Sequence, residues 1–219
     1  DSGVQGADSV ATVGVLNGGL IDSENTVISS GISGANQQAG QFTDATVNIS
    51  GLGSVWSATQ SMVVAGGPNA LATVSVNNGG VVVVDQLQLA TDASSVASVD
   101  VDDAMLTVGT LAQVGLNGDA DLDVSNASTF SVGGALQLGA QAGANGDLIV
   151  RDAGTQLSAS SLSVGGQDGL DGSGSVLISN GAQATITDAG SDAVVAIGEG
   201  LGATGAVTVT GTGSTLGLF

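Results

Sequence analysis

Ala72-Thr73-Val74-Ser75-Val76-Asn77-Asn78-Gly79-Gly80 decides how this chain folds. Small or apolar residues at 72, 74 and 76 alternate with polar ones at 73 and 75, the period of a strand with two unlike faces. Val and Thr suit a pleated surface, and the Asn-Gly corner that follows supplies left-handed backbone. The same phrase recurs as ATVGV from Ala11, ATVNI from Ala45, ASVDV from Ala97 and ADLDV from Ala120. It continues as GDLIV from Gly146, GSVLI from Gly174 and GAVTV from Gly205. Successive starts lie 34, 27, 25, 23, 26, 28 and 31 residues apart, a mean of about 28 (194/7). Such an interval marks units that cannot bury an apolar face alone and stack to do so.

A second apolar stretch sits inside most units: Met62–Val64, Leu87–Leu89, Leu136–Leu138, Leu162–Val164 and Val194–Ile197. No segment carries helical periodicity over a useful length. The prediction is therefore an all-β chain, a parallel β-helix (β-solenoid) of about seven to eight irregular coils. Coils start near 11, 45, 72, 97, 120, 146, 174 and 205, so residues 11–219 form one solenoid domain and residues 1–10 a cap or tail. At about 4.8 Å per coil it rises roughly 36 Å. The long first unit predicts a protruding loop from Ser29 to Gln41.

The corners alternate. Units one, three, five and seven carry Leu16–Gly19, Asn77–Gly80, Ser125–Ser128 and Ser179–Ala182. Units two, six and eight carry Gly51–Trp56, Asp152–Thr155 and Gly211–Leu216, and unit four, with Asp102–Met105, is degenerate. This paired rhythm of GxGS-type and SNGG-type turns between strands resembles the passenger domains of bacterial autotransporters and related surface adhesins, a pectin-lyase-like solenoid. The resemblance covers about residues 11–219 and rests on turn and strand composition. It implies a right-handed coil, in keeping with parallel-crossover chirality, and a secreted or bacterial cell-surface location. Leu216–Phe219 stop half a coil into unit eight, which suggests a segment of a longer protein or an end covered by a partner.

Composition removes several functions. The chain has 37 Gly in 219 residues, about 17% against roughly 7% in average proteins, with one Pro and 42% hydrophobic residues. That is a folded, glycine-punctuated chain rather than a disordered one. One cation, Arg151, against 20 acids leaves a net charge of −19 and excludes phosphate-backbone binding to nucleic acid. Absence of His and Cys removes the usual zinc, haem and iron–sulfur ligands, thiol nucleophiles and His bases. The longest Val run, Val81–Val84, is far short of the roughly 20 residues that span a bilayer, so no membrane insertion is expected of this segment. No basic-then-apolar leader opens the sequence.

A polysaccharide lyase or hydrolase needs cationic or aromatic groups beside its carboxylates, and here only Arg151 is available, next to Asp152. With no His, Lys or Tyr to tune the acids, no enzyme is expected. Trp56 reads as a core or corner filler rather than a sugar platform.

Stacking the phrases aligns their outward residues. One column reads Thr12, Thr46, Thr73, Ser98, Asp121, Asp147, Ser175, Ala206; the next reads Gly14, Asn48, Ser75, Asp100, Asp123, Ile149, Leu177, Thr208. Asp100, Asp121, Asp123 and Asp147 thus share one patch, with Asp102, Asp103 and Asp119 at its margins. Two readings fit: a solvated acidic face that keeps an edge-rich protein soluble, or a Ca²⁺ site in which a hard cation cross-links the coils. The Gly165–Gly172 stretch, with Asp168 and Asp171, reads as a glycine-rich loop. The expected function is a non-catalytic extracellular structural or adhesive module that self-associates through open solenoid ends into surface or matrix fibres. The alternative is a calcium-dependent module using the aspartate patch to engage cations or, through them, cell-surface glycans.

Overall fold

The computed structural model describes residues 9–30, 43–166, 170–187 and 195–219, which form strands and no helix. The first four coils each contribute two strands: β1 (Ser9–Leu16) and β2 (Leu20–Ile28), β3 (Thr43–Ser50) and β4 (Val55–Val64), β5 (Ala70–Asn77) and β6 (Val81–Leu89), β7 (Val96–Asp102) and β8 (Met105–Val114). From the fifth coil the second strand is split in two. The fifth coil holds β9 (Asp119–Ser125), β10 (Thr129–Val132) and β11 (Ala135–Leu138), and the sixth holds β12 (Asn145–Arg151), β13 (Gln156–Ala159) and β14 (Ser161–Val164). The seventh holds β15 (Ser173–Ser179), β16 (Gln183–Ile186) and β17 (Val195–Ile197), and β18 (Thr204–Val209) and β19 (Thr215–Leu218) follow.

Every pairing is parallel and joins strands one coil apart. The first sheet runs β1-β3-β5-β7-β9-β12-β15-β18, and the second collects the remaining eleven strands. Eight rungs, six of them with a neighbour on both sides, make a β-solenoid of about six turns. Each recurring phrase lies in a first-sheet strand, which starts one or two residues before it. Pairing is in register throughout this sheet, so Thr12, Thr46, Thr73, Ser98, Asp121, Asp147, Ser175 and Ala206 do stand in one column.

The second sheet bends midway. Register shifts after Ala58 in β4 and after Val84 in β6, at the level where later coils break between β10 and β11 and between β13 and β14. A bulge of this kind kinks the strand. The sheet therefore has a near half, beginning at Val55, Val81, Met105, Thr129, Gln156 and Gln183, and a far half that leads back to the first sheet.

The space between the sheets is filled by stacked aliphatic columns. Ile49, Val76, Val101, Val124, Val150 and Ile178 are one such column and are at most 1% exposed. Trp56 joins the core at 6% exposure, as a filler. The small residue that opens each phrase has a steric cause. A Cβ on Gly146 would lie 2.0 Å from the Val114 carbonyl oxygen, because the first sheet crosses the end of the far half at that point.

Asn17, Asn78, Asn126 and Asn180 all have φ between 53° and 55°, and the residue after each also has positive φ, so the odd-numbered coils share one tight corner. In coils two, six and eight the positive-φ residues lie two apart instead, at Gly51 and Gly53, Asp152 and Gly154, and Gly211 and Gly213. Buried hydroxyls tie neighbouring corners together. The Gly18 N–H donates to Ser54 Oγ at 3.1 Å, that of Ala104 to Ser128 Oγ at 3.0 Å and that of Ala127 to Thr155 Oγ1 at 3.0 Å. Of the expected cap or tail over residues 1–10, Ser9 and Val10 belong to β1, while residues 1–8, the bulk of the Ser29–Gln41 loop, Asp168 and Val194 lie outside the described residues.

Candidate functional site

The outward side of the first sheet brings the four candidate aspartates into two in-register pairs. Asp121 on β9 stands beside Asp147 on β12, and Asp100 on β7 stands beside Asp123 on β9. Adjacent strands are about 4.8 Å apart, where two carboxylates repel by about 1 kcal/mol in water and about 3.5 at an effective dielectric of 20. Each pair is met by donors. Ser175 Oγ donates a short hydrogen bond to Asp147, and Asn145 Nδ2 donates to it at 3.3 Å. Arg151 makes a two-pronged contact with Asp123, from Nε at 3.1 and 3.2 Å and from Nη2 at 3.0 Å, and reaches Asp152 from Nη1 at 3.3 Å. At the margins, Asp102 accepts from Asn126 Nδ2 at 2.6 Å, Asp119 opens β9 and Asp103 sits in the corner with positive φ. Among the described residues no three carboxylates gather closely enough to form a cation-sized group.

Of the two expectations for Asp152, pairing with its neighbour Arg151 or plain exposure, the pairing is present. The stronger partner of Arg151 is Asp123, one coil away and diagonal to it: Ile149 is the residue in register with Asp123, two positions before Arg151. Diagonal neighbours on parallel strands lie within reach of a long side chain, so the column alignment already held this signal. Both side chains keep 31–40% of their surface in water, which limits the contact to about 1 kcal/mol despite its good geometry.

Partial loss of water raises the pKa of both Asp100 and Asp121. Asp123 and Asp102 raise Asp100 further while Arg151 lowers it, and Asp147 and Asp119 raise Asp121. A carboxyl that binds its proton more tightly folded than unfolded subtracts from stability above its folded pKa. The penalty fades as pH falls through that value towards the unfolded one near 3.8. Asp121→Asn is therefore expected to raise the melting temperature at pH 7 and to leave it unchanged near pH 3, measured by thermal unfolding in both buffers. A lower melting temperature at pH 7 would show that the Asp121 charge is compensated.

The rest of the outer surface is stitched from coil to coil by short polar side chains. Gln88 donates to Gln113 at 3.0 Å and Gln113 to Gln137 at 2.9 Å, forming an amide ladder on the far half. Asn77 donates to Asn48 at 3.2 Å, and Ser158 to Ser131 at 3.1 Å. The Gly165–Gly172 stretch lies between β14 and β15, with Asp171 exposed. No family model, curated protein or solved structure matches this chain.

Proposed function

We propose that this chain is a non-catalytic structural or adhesive β-solenoid module, of the kind displayed on bacterial surfaces or secreted into a matrix, that associates end to end. The observation that supports this reading most is the continuity of the ladder out to its edges. Among the described residues β1 and β18 pair on one side only, and there inward positions that are at most 4% exposed in the middle of the stack are open: Val13 is 38% exposed and Val209 43%. An edge with unpaired backbone and bare apolar columns accepts a further coil, from the same chain or from another copy. The finer likeness to autotransporter passengers and adhesins rests on the alternating corners and belongs to this proposal, as does a surface or secreted location.

A second reading is carried by the two in-register aspartate pairs, which would hold Ca²⁺ and through it anionic glycans. Light scattering on the purified chain, in calcium and in EDTA, separates the two. Open-ended growth in both buffers is the result expected for end-to-end association. Growth in calcium alone, lost in an Asp121→Asn/Asp123→Asn variant, would move the function to the aspartates. Absence of assemblies beyond a fixed small size in either buffer would overturn the end-to-end reading.

A further inference from the structure

The alternation of corners has a phase, and the two ends of the stack match it. Coil eight turns through the corner shared with coils two and six, with positive φ at Gly211 and Gly213, and coil one through the odd-coil corner, at Asn17 and Gly18. A coil one laid on coil eight therefore repeats the step from coil two to three and from coil six to seven. At both of those steps the same backbone bond crosses the corner: the Gly51 N–H donates to the Asn77 carbonyl and that of Asp152 to the Ser179 carbonyl, each at 3.2 Å. The corresponding groups at the two ends are the Gly211 N–H and the Leu16 carbonyl.

The odd-coil corner also leaves room for the corner before it. A Cβ on Gly79 would meet Leu52 Cδ2 at 2.6 Å, and one on Gly181 would meet the Ala153 Cβ at 3.3 Å. Coil five follows the degenerate corner of coil four, and there the same place holds Ala127. Coil one carries Gly18, the choice of coils three and seven. The strand edges agree with the corners. Continued in register, a second copy sets Val13 and Val15 on Val207 and Val209, and Ile21 on Leu216, so the inward columns run on unbroken. Charge does not oppose the contact, although the chain carries −19. Strands β1, β18 and β19 have no charged side chain. On β2, Asp22 falls opposite Gly217, and Glu24 lies in the bulge past the residues that β19 reaches.

We infer that copies of this chain join head to tail in a single register, Thr204–Val209 on Val10–Val15 and Thr215–Leu218 on Leu20–Ser23, with the Asn17–Gly18 corner seated on the Gly211–Gly213 corner. The inference rests on the end-to-end reading and adds to it a polarity, a register and a partner, a second copy. Contact of β1 with β1, or of β18 with β18, would be antiparallel, a pairing that no described rung uses. The junction is carried by six residues of β18 and four of β19, while β17 ends the far half one rung earlier. A head-to-tail contact does not close on itself, so it grows into a filament in which the corner alternation runs on from copy to copy.

The chain has no cysteine, so introduced pairs report the junction alone. Positions 12 and 206 end one outward column, seven steps or roughly 34 Å apart within a copy and one step of about 4.8 Å apart across the junction. Oxidation of Thr12→Cys/Ala206→Cys is expected to give a ladder of covalent oligomers on non-reducing gels. In Thr12→Cys/Thr208→Cys the partners are displaced by two residues, about 8 Å between Cα atoms and outside disulfide reach, and about tenfold less ladder is expected. Light scattering on the unoxidised variants separates the two ways of failing. Open-ended assemblies that give no ladder from the 12/206 pair, or as much from the 12/208 pair, would overturn the register and leave the end-to-end reading standing. Assemblies in which Thr12→Cys alone is trapped quantitatively as a dimer would overturn the polarity. Monomers in every variant and in the parent would overturn both the inference and the reading beneath it.

Discussion

Phe130→Ala is expected to lower the unfolding free energy by about 3–5 kcal/mol. The ring is fully buried on β10, in register with Leu106 of β8 on one side and Leu157 of β13 on the other. Removing it opens a cavity in the middle of the stack, where neighbours fixed by two flanking ladders have little room to collapse inward. Each coil is stabilised by its neighbours, so the loss is felt on both sides of the fifth rung rather than in one turn. Urea denaturation followed by circular dichroism checks it: the midpoint falls while the slope stays the same. A loss under about 1 kcal/mol would mean that the interior repacks freely, contrary to a ring held between two leucines.

Gly146→Val is expected to cost about 3 kcal/mol, for the opposite reason: too little space rather than too much. A Cβ there would meet the Val114 carbonyl oxygen at 2.0 Å and the Gly139 nitrogen at 2.6 Å, both backbone atoms that no rotamer change can move. The equivalent residue one rung earlier is Ala120, 2% exposed. The sheets therefore stand far enough apart in the fifth coil for a methyl group and too close in the sixth. Ala120→Gly is expected to cost only about 1 kcal/mol, through added chain entropy and a lost methyl contact. Thermal and urea unfolding of the two variants give the comparison, and equal costs at 120 and 146 would refute the close approach.

The column alignment, the strand faces and the position of the tight corners were legible because each depends on local periodicity. A period of two fixes which side chains share a face, and a phrase repeated about every 28 residues fixes what stacks on what. Asn at 17, 78, 126 and 180 could likewise be read as corner residues from their tolerance of positive φ. Trp56 as a filler followed from its isolation in a chain with few aromatics.

Other features depend on distances between segments that no local pattern encodes. The small residue opening each phrase was visible, but its cause, the approach of first-sheet strands to the far half, exists only once the coil is closed. The column alignment already set the aspartates in two pairs, whereas the two-pronged seating of Arg151 on Asp123 was fixed only by side-chain reach across a diagonal. The bend in the second sheet comes from register shifts between coils of unequal length. Val81, Val83 and Met105 lie before that bend and face outward by strand alternation, but how bare each is depends on the rungs beside it. Sequence periodicity determined the ladder, whereas the closed coil decided which surfaces are bare and which charges meet, because exposure and charge pairing are properties of neighbours brought together from different turns.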